Sequence, residues 1–270
     1  MKLFGRDNFE VMVGVCAMRE IKLYTLESLL ALQNCPNPKI HYKILMGDAL
    51  ISRSRSLVAT HFLQQTHCDV LFFLDDDVRI SSLDATSLMW AAVQHKLDIV
   101  GAIYPTKSKG SPGMVMTPLE YGTNVPFGKN GGFLEVRHIG NGCMAVRREV
   151  LQAMVDHGVP FCRHGERKYW PFFQHKWEMI DGSPIDLSED YYFAEEARKL
   201  GFKIWADTRI KLYHEGSYLY SWDDVLETKR GQRKQYNDLS FNIADANKIS
   251  LPENGERPEG VKAAEGAANG

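Results

Sequence analysis

The sequence lacks several features that mark special classes of protein. Its formal net charge is −2 over 270 residues, so no overall positive field draws it to nucleic acid or to an anionic membrane. No uncharged stretch is long enough for a transmembrane helix, and the opening residues 1–7 lack the apolar core of a signal peptide. We therefore expect a cytoplasmic protein, or one that is encoded by a virus or phage and made in a cytoplasm.

A disulfide framework is also missing. The five cysteines are odd in number and irregular in spacing. Cys16, Cys68 and Cys143 lie within apolar runs, where a reduced cysteine packs as a small hydrophobic side chain. The pattern indicates a reducing compartment.

Alternating strand and helix patterns fill the first part of the chain. Strands are predicted at 10–18, 40–46 and 69–74, with helices at 21–33 and 48–65 between them. A strand, a helix and a strand in that order form a right-handed βαβ unit with a parallel sheet. The predicted class is α/β.

Three consecutive carboxylates follow the third predicted strand. Asp75, Asp76 and Asp77 come directly after the apolar run 71–74, which has the length of a buried strand. Open α/β folds bind ligands at the carboxyl ends of their strands. A divalent cation such as Mg²⁺ or Mn²⁺ would offset the repulsion among the three acids. A solvated turn or a helix cap is the alternative, and the triplet alone does not decide between them.

The middle of the chain is predicted to contain two strands, a long loop between them, a glycine turn and a helix. A strand at 98–104 is followed by a long loop at 106–130, and loops of that length are often functional. A strand at 133–138, the turn Gly140–Gly142 and a helix at 149–157 come next.

The segment 160–184 is aromatic and basic. It forms either a small packed subdomain or an acceptor surface on which aromatic faces, such as that of Trp170, stack on sugars or bases.

Two acids open a predicted helix near residue 189. Ser188 is its expected N-cap, and the helix continues to residue 200. Glu189 and Asp190 lie above its buried face rather than on the solvent side. Stabilisation of the helix dipole is the simpler explanation for such acids, but their position on the helix favours a role in a site.

The last part of the chain is predicted to hold two short strands, a helical tail and a disordered end. The strands cover 203–206 and 210–214, and the second ends at His214. The tail spans 221–250, and the residues 251–270 have a disordered composition.

Taken in chain order, these pieces resemble the GT-A fold glycosyltransferases, particularly the family 2-like enzymes that carry a DXD motif. The matching segments are FFLDDDV at 72–78, IGNGCMAVRREVL at 139–151, LSEDYYFAEEARKLGFKIWAD at 187–207 and LYHEG at 212–216. The stretch 52–63 is similar to the arginine-bearing helix before the DXD strand. The resemblance covers roughly residues 9–217, and the order of the motifs is more specific than any one of them.

The resemblance implies a Rossmann-like nucleotide-binding half with a mostly parallel mixed sheet flanked by helices, followed by the helical tail. One GT-A domain would span 1–220, with a nucleotide-sugar half at 9–105 and an acceptor half at 106–220. The expected donor is a nucleotide sugar, with UDP as the first choice of nucleotide, and the expected acceptor is a saccharide or glycoconjugate hydroxyl.

The resemblance also implies a donor site and a metal site. The nucleotide-sugar would contact Val15, Cys16, Ala17, Arg19, Arg53, Arg55, Asp75 and Asp76; for either arginine a surface salt bridge is the alternative. Mn²⁺ or Mg²⁺ would bind Asp77 and His214, with Asp75 close by. A histidine satisfied at a strand end is the other interpretation of His214.

In the same resemblance, Asp190 would be the general base of an inverting transfer, with Glu189 beside it. In a retaining enzyme the two acids would instead position the substrate or shield the sugar cation. Gly140, Asn141 and Gly142 would let the backbone approach the acceptor or the sugar, and Trp170 is the aromatic candidate there.

Four other functions share parts of this pattern. A nucleotidyltransferase or a dehydrogenase needs a glycine-rich loop after its first strand, and the stretch 14–20 has one glycine. An inactive sugar- or nucleotide-binding module would have the same fold. A nucleic acid acceptor would suit the aromatic and basic segment 160–184, although we favour a saccharide.

Overall fold

Apolar strands and amphipathic helices alternate along the chain as the sequence predicts. The computed structural model describes residues 8–107, 115–120, 122, 124–180, 182–216, 218–224, 235, 237 and 240–242. Its strands are, in chain order, β1 (Glu10–Ala17), β2 (Lys39–Met46), β3 (Val70–Leu74), β4 (Val78–Arg79), β5 (Ile99–Gly101), β6 (Met116–Pro118), β7 (Asn124–Pro126), β8 (Phe133–Ile139), β9 (Cys143–Arg147), β10 (Cys162–His164), β11 (Arg167–Tyr169), β12 (Lys176–Ile180), β13 (Ser183–Leu187), β14 (Ile204–Asp207), β15 (Tyr213–Glu215), β16 (Leu219–Ser221) and β17 (Ser240–Asn242). Its α-helices are α1 (Leu23–Gln33), α2 (Ile51–Gln65), α3 (Ser82–Gln94), α4 (Arg148–Asp156) and α5 (Glu189–Lys199).

The main sheet has eight strands in the order β2-β1-β3-β9-β5-β14-β8-β6. Strands β8 and β9 are antiparallel to their neighbours, and the other six share one direction. This is the mostly parallel mixed sheet that the sequence predicts, and the predicted fold class is confirmed. The insertion of β9 between β3 and β5 brings the turn before β9 to the carboxyl end of β3.

The core of the protein lies on both faces of this sheet. Strand β3 is buried along its whole length. Phe73 faces one core, where its ring packs edge-on against Phe173 at 5.5 Å, and Phe72 faces the other. Each fully buried phenylalanine contributes about 1.5–3 kcal/mol. The strand that leads into the three aspartates is therefore held firmly from both sides.

Helix α2 approaches strand β1 closely. A Cβ atom on Gly14 would lie 2.6 Å from Val58 Cγ1, so only glycine fits at that position. The buried face of α2 is unusually polar. Ser56 Oγ accepts a hydrogen bond from Phe173 N at 3.1 Å, and Thr60 Oγ1 accepts one from Trp170 N at 3.0 Å. This helix thus fixes the segment around 170–173 to the core.

A small three-stranded sheet, in the order β16-β15-β4, lies beside the end of β3. Val78 of β4 pairs with His214 of β15, and Glu215 N donates to Asp77 O at 2.7 Å. Backbone pairing therefore brings the late histidine to the acidic cluster.

Two predictions about loops and tails need correction. The predicted loop 106–130 contains the short strands β6 and β7. The predicted helical tail 221–250 is wrong where it is described: Trp222–Asp224 is a single 3₁₀ turn, and Ser240–Asn242 is a strand paired with β7. The segment 251–270, predicted to be disordered, lies outside the described residues.

Trp222 explains part of the difference at the tail. Its side chain is fully buried, its Nε1 donates to Ile103 O at 2.9 Å, and its ring lies 4.7 Å from that of Phe127. These contacts anchor the chain to the core where a solvent-exposed helix was expected.

Several element boundaries also differ from the predicted ones. Helix α1 begins at Leu23, α2 begins at Ile51, and β5 ends at Gly101, before Pro105. The strand expected at 210–214 is shifted and covers Tyr213–Glu215. Among the described residues, no helix combines the length and the apolar character that crossing a membrane requires.

Helix α5 is tied to β8 by a buried carboxylate. Glu195 accepts hydrogen bonds from Arg137 Nε and His138 Nε2, each at 2.7 Å, and the His138 ring stacks on Tyr191. Burial alone would raise the pKa of Glu195, but the bonds from His138 and Arg137 lower it to about 2. Because Glu189 and Asp190 open the same helix, this contact helps to hold them in place.

We expect Glu195→Gln to lower the free energy of unfolding at pH 7 by about 3.5 kcal/mol, since the pKa of Glu195 falls by about 2.5 units and each unit corresponds to about 1.4 kcal/mol. The folded-state pKa lies below the ordinary value of 4.5, so this stabilisation is complete above that pH and is lost as pH falls towards 2. Urea unfolding across this range should therefore show a shallower acid loss in Glu195→Gln than in the wild type. Glu196→Gln is the matched control, because Glu196 bonds to the half-exposed Lys199; equal effects in the two variants would contradict the assignment.

Candidate active site

The acidic cluster lies at the carboxyl end of β3, as predicted. Asp75 is the first residue after the strand, and its backbone N–H donates to Gly142 O at 3.0 Å. The acids and the glycine turn before β9 are therefore neighbours across the sheet.

A buried arginine links two of the predicted site acids. Arg55 Nη2 donates to both carboxylate oxygens of Asp75, at 2.7 and 3.0 Å, and Arg55 Nη1 donates to Glu189 Oε1. The Arg55 side chain is 5% exposed. Burial opposes its charge, but Asp75 and Glu189 raise the pKa of Arg55 above its ordinary value. Helix α2 thus joins the end of β3 to the start of α5.

Asp77 meets a histidine and a lysine. His214 Nε2 lies 3.4 Å from Asp77 Oδ1, and Lys107 Nζ donates to Asp77 Oδ2 at 2.5 Å. His214 Nδ1 lies 3.1 Å from Pro105 O, which can only accept. This bond places a ring proton on Nδ1 and turns Nε2 towards Asp77.

The middle aspartate shows how negative this edge is. Burial, together with the charges of Asp77 and Asp75, raises the pKa of Asp76 to about 6. Burial also opposes ionisation of Asp77, but His214 and Lys107 hold the pKa of that carboxyl below its usual range. Asp77 is thus held in its ionised form, facing a histidine nitrogen.

Asp190 lies in the first turn of α5. Its Oδ1 accepts hydrogen bonds from Tyr191 N at 2.9 Å and from Ser188 Oγ. Its Oδ2 has no hydrogen-bond partner among the described residues. Burial raises the pKa of the neighbouring Glu189, while Arg55 opposes that rise. Glu189 is therefore bound by the guanidinium of Arg55, whereas Asp190 has its Oδ2 available to a ligand.

The turn Gly140–Gly142 packs against a tyrosine that sequence reasoning missed. Cβ atoms on Gly140 and Gly142 would lie 2.6 and 2.7 Å from Tyr104 Oη, and Gly142 N donates to that oxygen at 3.2 Å. Burial and the nearby Asp75 and Asp190 raise the pKa of Tyr104 well above its ordinary value. A tyrosine at the end of an apolar run and directly before a proline was the signal available in the sequence.

Asn141, in the same turn, is fully buried. Neither its Nδ2 nor its Oδ1 has a hydrogen-bond partner within the described part of the chain. Unpaired buried amides are rare because each unsatisfied group costs about 1–3 kcal/mol. The predicted role of this turn in sugar or acceptor binding is untested, but a polar ligand group would satisfy the amide.

The predicted nucleotide contacts in and just after β1 differ in their exposure to solvent. Val15 is fully buried in the core, Ala17 is 5% exposed, and Arg19 is exposed just beyond β1. Burial raises the pKa of the Cys16 thiol to about 12, so it is an inert core group. Of these four, Arg19 has the side chain that is open to a ligand.

The other predicted arginine is already paired. Arg53 Nε and Nη2 donate to the two carboxylate oxygens of Asp48, at 2.7 and 2.6 Å. The Asp48 side chain is 2% exposed, and sequence reasoning did not single it out. Its position just after β2, at the same edge as Asp75, was the signal that could have found it.

The aromatic and basic segment forms two hairpins, β10–β11 and β12–β13. Trp170 is half-buried, its ring lies 4.8 Å from that of Phe161, and it packs on the core. These contacts support the packed-subdomain interpretation for Trp170, and its role towards an acceptor stays a prediction.

No protein-family model matches the sequence, and no curated protein matches it. Among solved structures, A197 from STIV is similar with 18% identity and a TM-score of 0.52, over 84% of this chain and 98% of A197. Residues 1–349 of S. aureus TarS align with 14% identity and a TM-score of 0.41, over 73% of this chain and 58% of that one.

The likeness to A197 covers nearly all of that chain and shows a shared fold. The protein therefore has the α/β fold of A197. At this level of identity the likeness extends to the fold alone, and the chemistry of the protein depends on the residues of its site.

Proposed function

We propose that the protein is a glycosyltransferase that uses Mn²⁺ or Mg²⁺ and a nucleotide-diphosphate sugar, UDP-linked as the first choice. The acceptor is a hydroxyl of a saccharide or glycoconjugate. One observation carries the proposal: α2, α5 and β15 converge on the acids after β3, through the Arg55 bridge and the Asp77–His214 contact. These elements converge at the carboxyl edge of the sheet, and open α/β folds bind their ligands at that edge.

The residues at Asp77 fit a divalent cation. The donor set is a carboxylate and the histidine nitrogen Nε2, which the bond from Nδ1 to Pro105 turns towards that carboxylate. Oxygen and imidazole ligands suit Mn²⁺, and carboxylates suit Mg²⁺. Asp76, with its pKa raised to about 6, supplies further negative charge that a cation would offset. Asp75 is held by Arg55, so Asp77 and His214 are our first choice of ligands.

A bound cation would stabilise the negative charge that develops on the leaving diphosphate. Lys107 now donates to one oxygen of Asp77, and its ammonium is a second positive group at that position. If Asp77 turned both oxygens to a cation, Lys107 would be released from it, and its charge would be available to a phosphate group.

Asp190 is the general base of the proposed reaction. The oxygen of the acceptor hydroxyl attacks the anomeric carbon of the sugar, and the proton of that hydroxyl passes to Oδ2 of Asp190. The bond from the anomeric carbon to the diphosphate breaks, and the nucleoside diphosphate leaves. A general base needs a free acceptor oxygen, and Oδ2 supplies it because Oδ1 takes the bonds from Tyr191 N and Ser188 Oγ. With Glu189 bound to Arg55, this arrangement favours direct displacement with inversion. A retaining transfer with the same residues is the alternative.

The test is a thermal-shift screen with UDP, GDP, CDP and dTDP, each with and without Mn²⁺. A ligand at 100 times its dissociation constant stabilises a protein by about 2.7 kcal/mol, which should raise the midpoint by about 5 °C for a chain of this size. We expect a shift with one diphosphate that needs the metal and disappears in Asp77→Ala.

Asp156→Ala is the matched control, because Asp156 is an exposed acid on α4 that bonds to Gln152; it should leave the shift unchanged. A shift that is independent of metal would contradict the proposed cation site and would indicate that Lys107 supplies the positive charge to the diphosphate. No shift with any diphosphate would contradict the donor site. Donor turnover that is lost in Asp77→Ala would distinguish an enzyme from an inactive binding module.

A further inference from the structure

A second group of metal-ligating side chains lies at the opposite end of the sheet. Glu10 is the first residue of β1, His41 is in β2, and Cys68 lies just before β3. One ligand atom from each lies within 4.8 Å of the others, and His41 Nε2 is 2.8 Å from Glu10 Oε2. β1 is eight residues long, so this cluster is on the order of 20 Å from the acidic cluster.

We propose that Glu10, His41 and Cys68 bind one Zn²⁺ ion. Carboxylate, imidazole and thiolate are the three ligand types that zinc takes in proteins, and metal–ligand bonds of about 2.0–2.3 Å place tetrahedral ligands roughly 3.5 Å apart. The three atoms therefore need to close by about 1.3 Å at most. This proposal is independent of the function proposed for the other end of the sheet.

The cluster is open on one side. The side chains of Glu10 and His41 are 43% and 40% exposed, whereas Cys68 is buried. Zinc can enter from solvent over the two exposed ligands, and a water molecule completes a four-coordinate site.

The chemistry of binding is a proton exchange. Burial raises the pKa of the Cys68 thiol, so zinc must displace its proton as the thiolate forms. The hydrogen between His41 Nε2 and Glu10 Oε2 must also leave, to solvent or to Nδ1 of the same ring, before the Nε2 lone pair can bind the metal. Zinc binding should therefore release the thiol proton to solvent.

A neighbouring lysine competes for the same carboxylate. Lys39 Nζ donates to Glu10 Oε1 at 3.0 Å, and its side chain is 66% exposed. A cation next to the site repels Zn²⁺ and occupies one carboxylate oxygen. Removal of Lys39 should therefore tighten zinc binding, which a cluster with a purely structural role would not show.

The experiment is titration of the chelator-stripped full-length protein with Zn²⁺ and, separately, with Co²⁺ as a spectroscopic probe. We expect one equivalent of zinc at this site, a rise in melting temperature, and a thiolate-to-cobalt charge-transfer band. Cys68→Ser should abolish the band, His41→Gln should weaken zinc binding by at least about tenfold, and Lys39→Ala should strengthen it.

Two controls separate this site from others. Cys35→Ser removes a partly exposed thiol elsewhere and should leave the band unchanged. Asp77→Ala should remove metal binding at the acidic cluster and leave the band intact. Because His41 is partly exposed, His41→Gln should fold even if Cys68→Ser does not. A band that survives Cys68→Ser, zinc affinity unaffected by His41→Gln, or no binding at all would overturn the proposal.

Discussion

Asp190→Asn should lower the rate of sugar transfer by about 10²–10⁴, the usual contribution of a positioned general base. The change keeps the shape of the side chain, and the amide oxygen can still accept from Tyr191 N. It removes the carboxylate oxygen Oδ2 that would take the acceptor proton. Donor binding should survive, so the metal-dependent thermal shift with the nucleoside diphosphate should be unchanged. The assay is donor turnover, with water or a simple sugar alcohol as acceptor.

The comparison variant is Glu189→Gln. It changes the neighbouring acid, but it breaks the charge pair with Arg55 and should reduce stability as well as turnover. If Asp190→Asn retains more than a tenth of the activity while Glu189→Gln loses it, the assignment of the base is wrong. The anomeric configuration of the product, followed by NMR, then tells inversion from retention. A retained configuration would support the alternative in which both acids position the substrate.

The position of the acidic cluster could be predicted from the sequence because the residues that determine it are adjacent in the chain. Residues 71–74 form an apolar run of strand length, and three acids follow it directly. Such a run must be buried, and its end must lie at a sheet edge. The start of α5 is local in the same way, since Ser188 and two acids mark a helix N-terminus. Both features appear in the structure within a residue or two of the predicted positions.

The contacts that assemble the site could not be read from the sequence. Arg55 meets Asp75 and Glu189 across 20 and 134 residues of chain, and no local pattern distinguishes it from Arg53, two positions earlier. Arg53 binds Asp48 instead, within its own helix and the loop before it. The insertion of β9 between β3 and β5 is non-local in the same sense, because pairing is decided by neighbours that are distant in sequence.

The tail shows a local preference that tertiary contacts override. Its polar composition resembles that of a surface helix, but helix propensity is a weak signal beside packing. Burial of Trp222 and the pairing of Ser240–Asn242 with β7 decide the structure of the described residues there. The buried face of α2 is polar for a related reason, because Arg55, Ser56 and Thr60 take core positions from which they bond to distant parts of the chain.

Arg55→Met should destabilise the protein by about 3–5 kcal/mol, the usual effect of removing one partner from a buried ion pair. That corresponds to a fall in melting temperature on the order of 10 °C. The methionine keeps much of the volume, so the loss comes from leaving Asp75 and Glu189 close together without a positive group between them. Transfer activity should be lost as well, because both carboxylates are expected to move apart. Circular dichroism melting and donor turnover measure the two effects.

Neutralising the acids tests this explanation. In the Arg55→Met background, adding Asp75→Asn and Glu189→Gln should restore much of the stability without restoring activity. Arg79→Met is the control, since Arg79 is partly exposed and its nearest acid, Glu27, is 3.8 Å away; exposed pairs contribute about 0–1 kcal/mol. If the triple variant is no more stable than Arg55→Met, charge repulsion is not the cause, and Arg55 acts through packing. If it recovers stability, Arg55 is the group that allows two like charges to share the centre of the site.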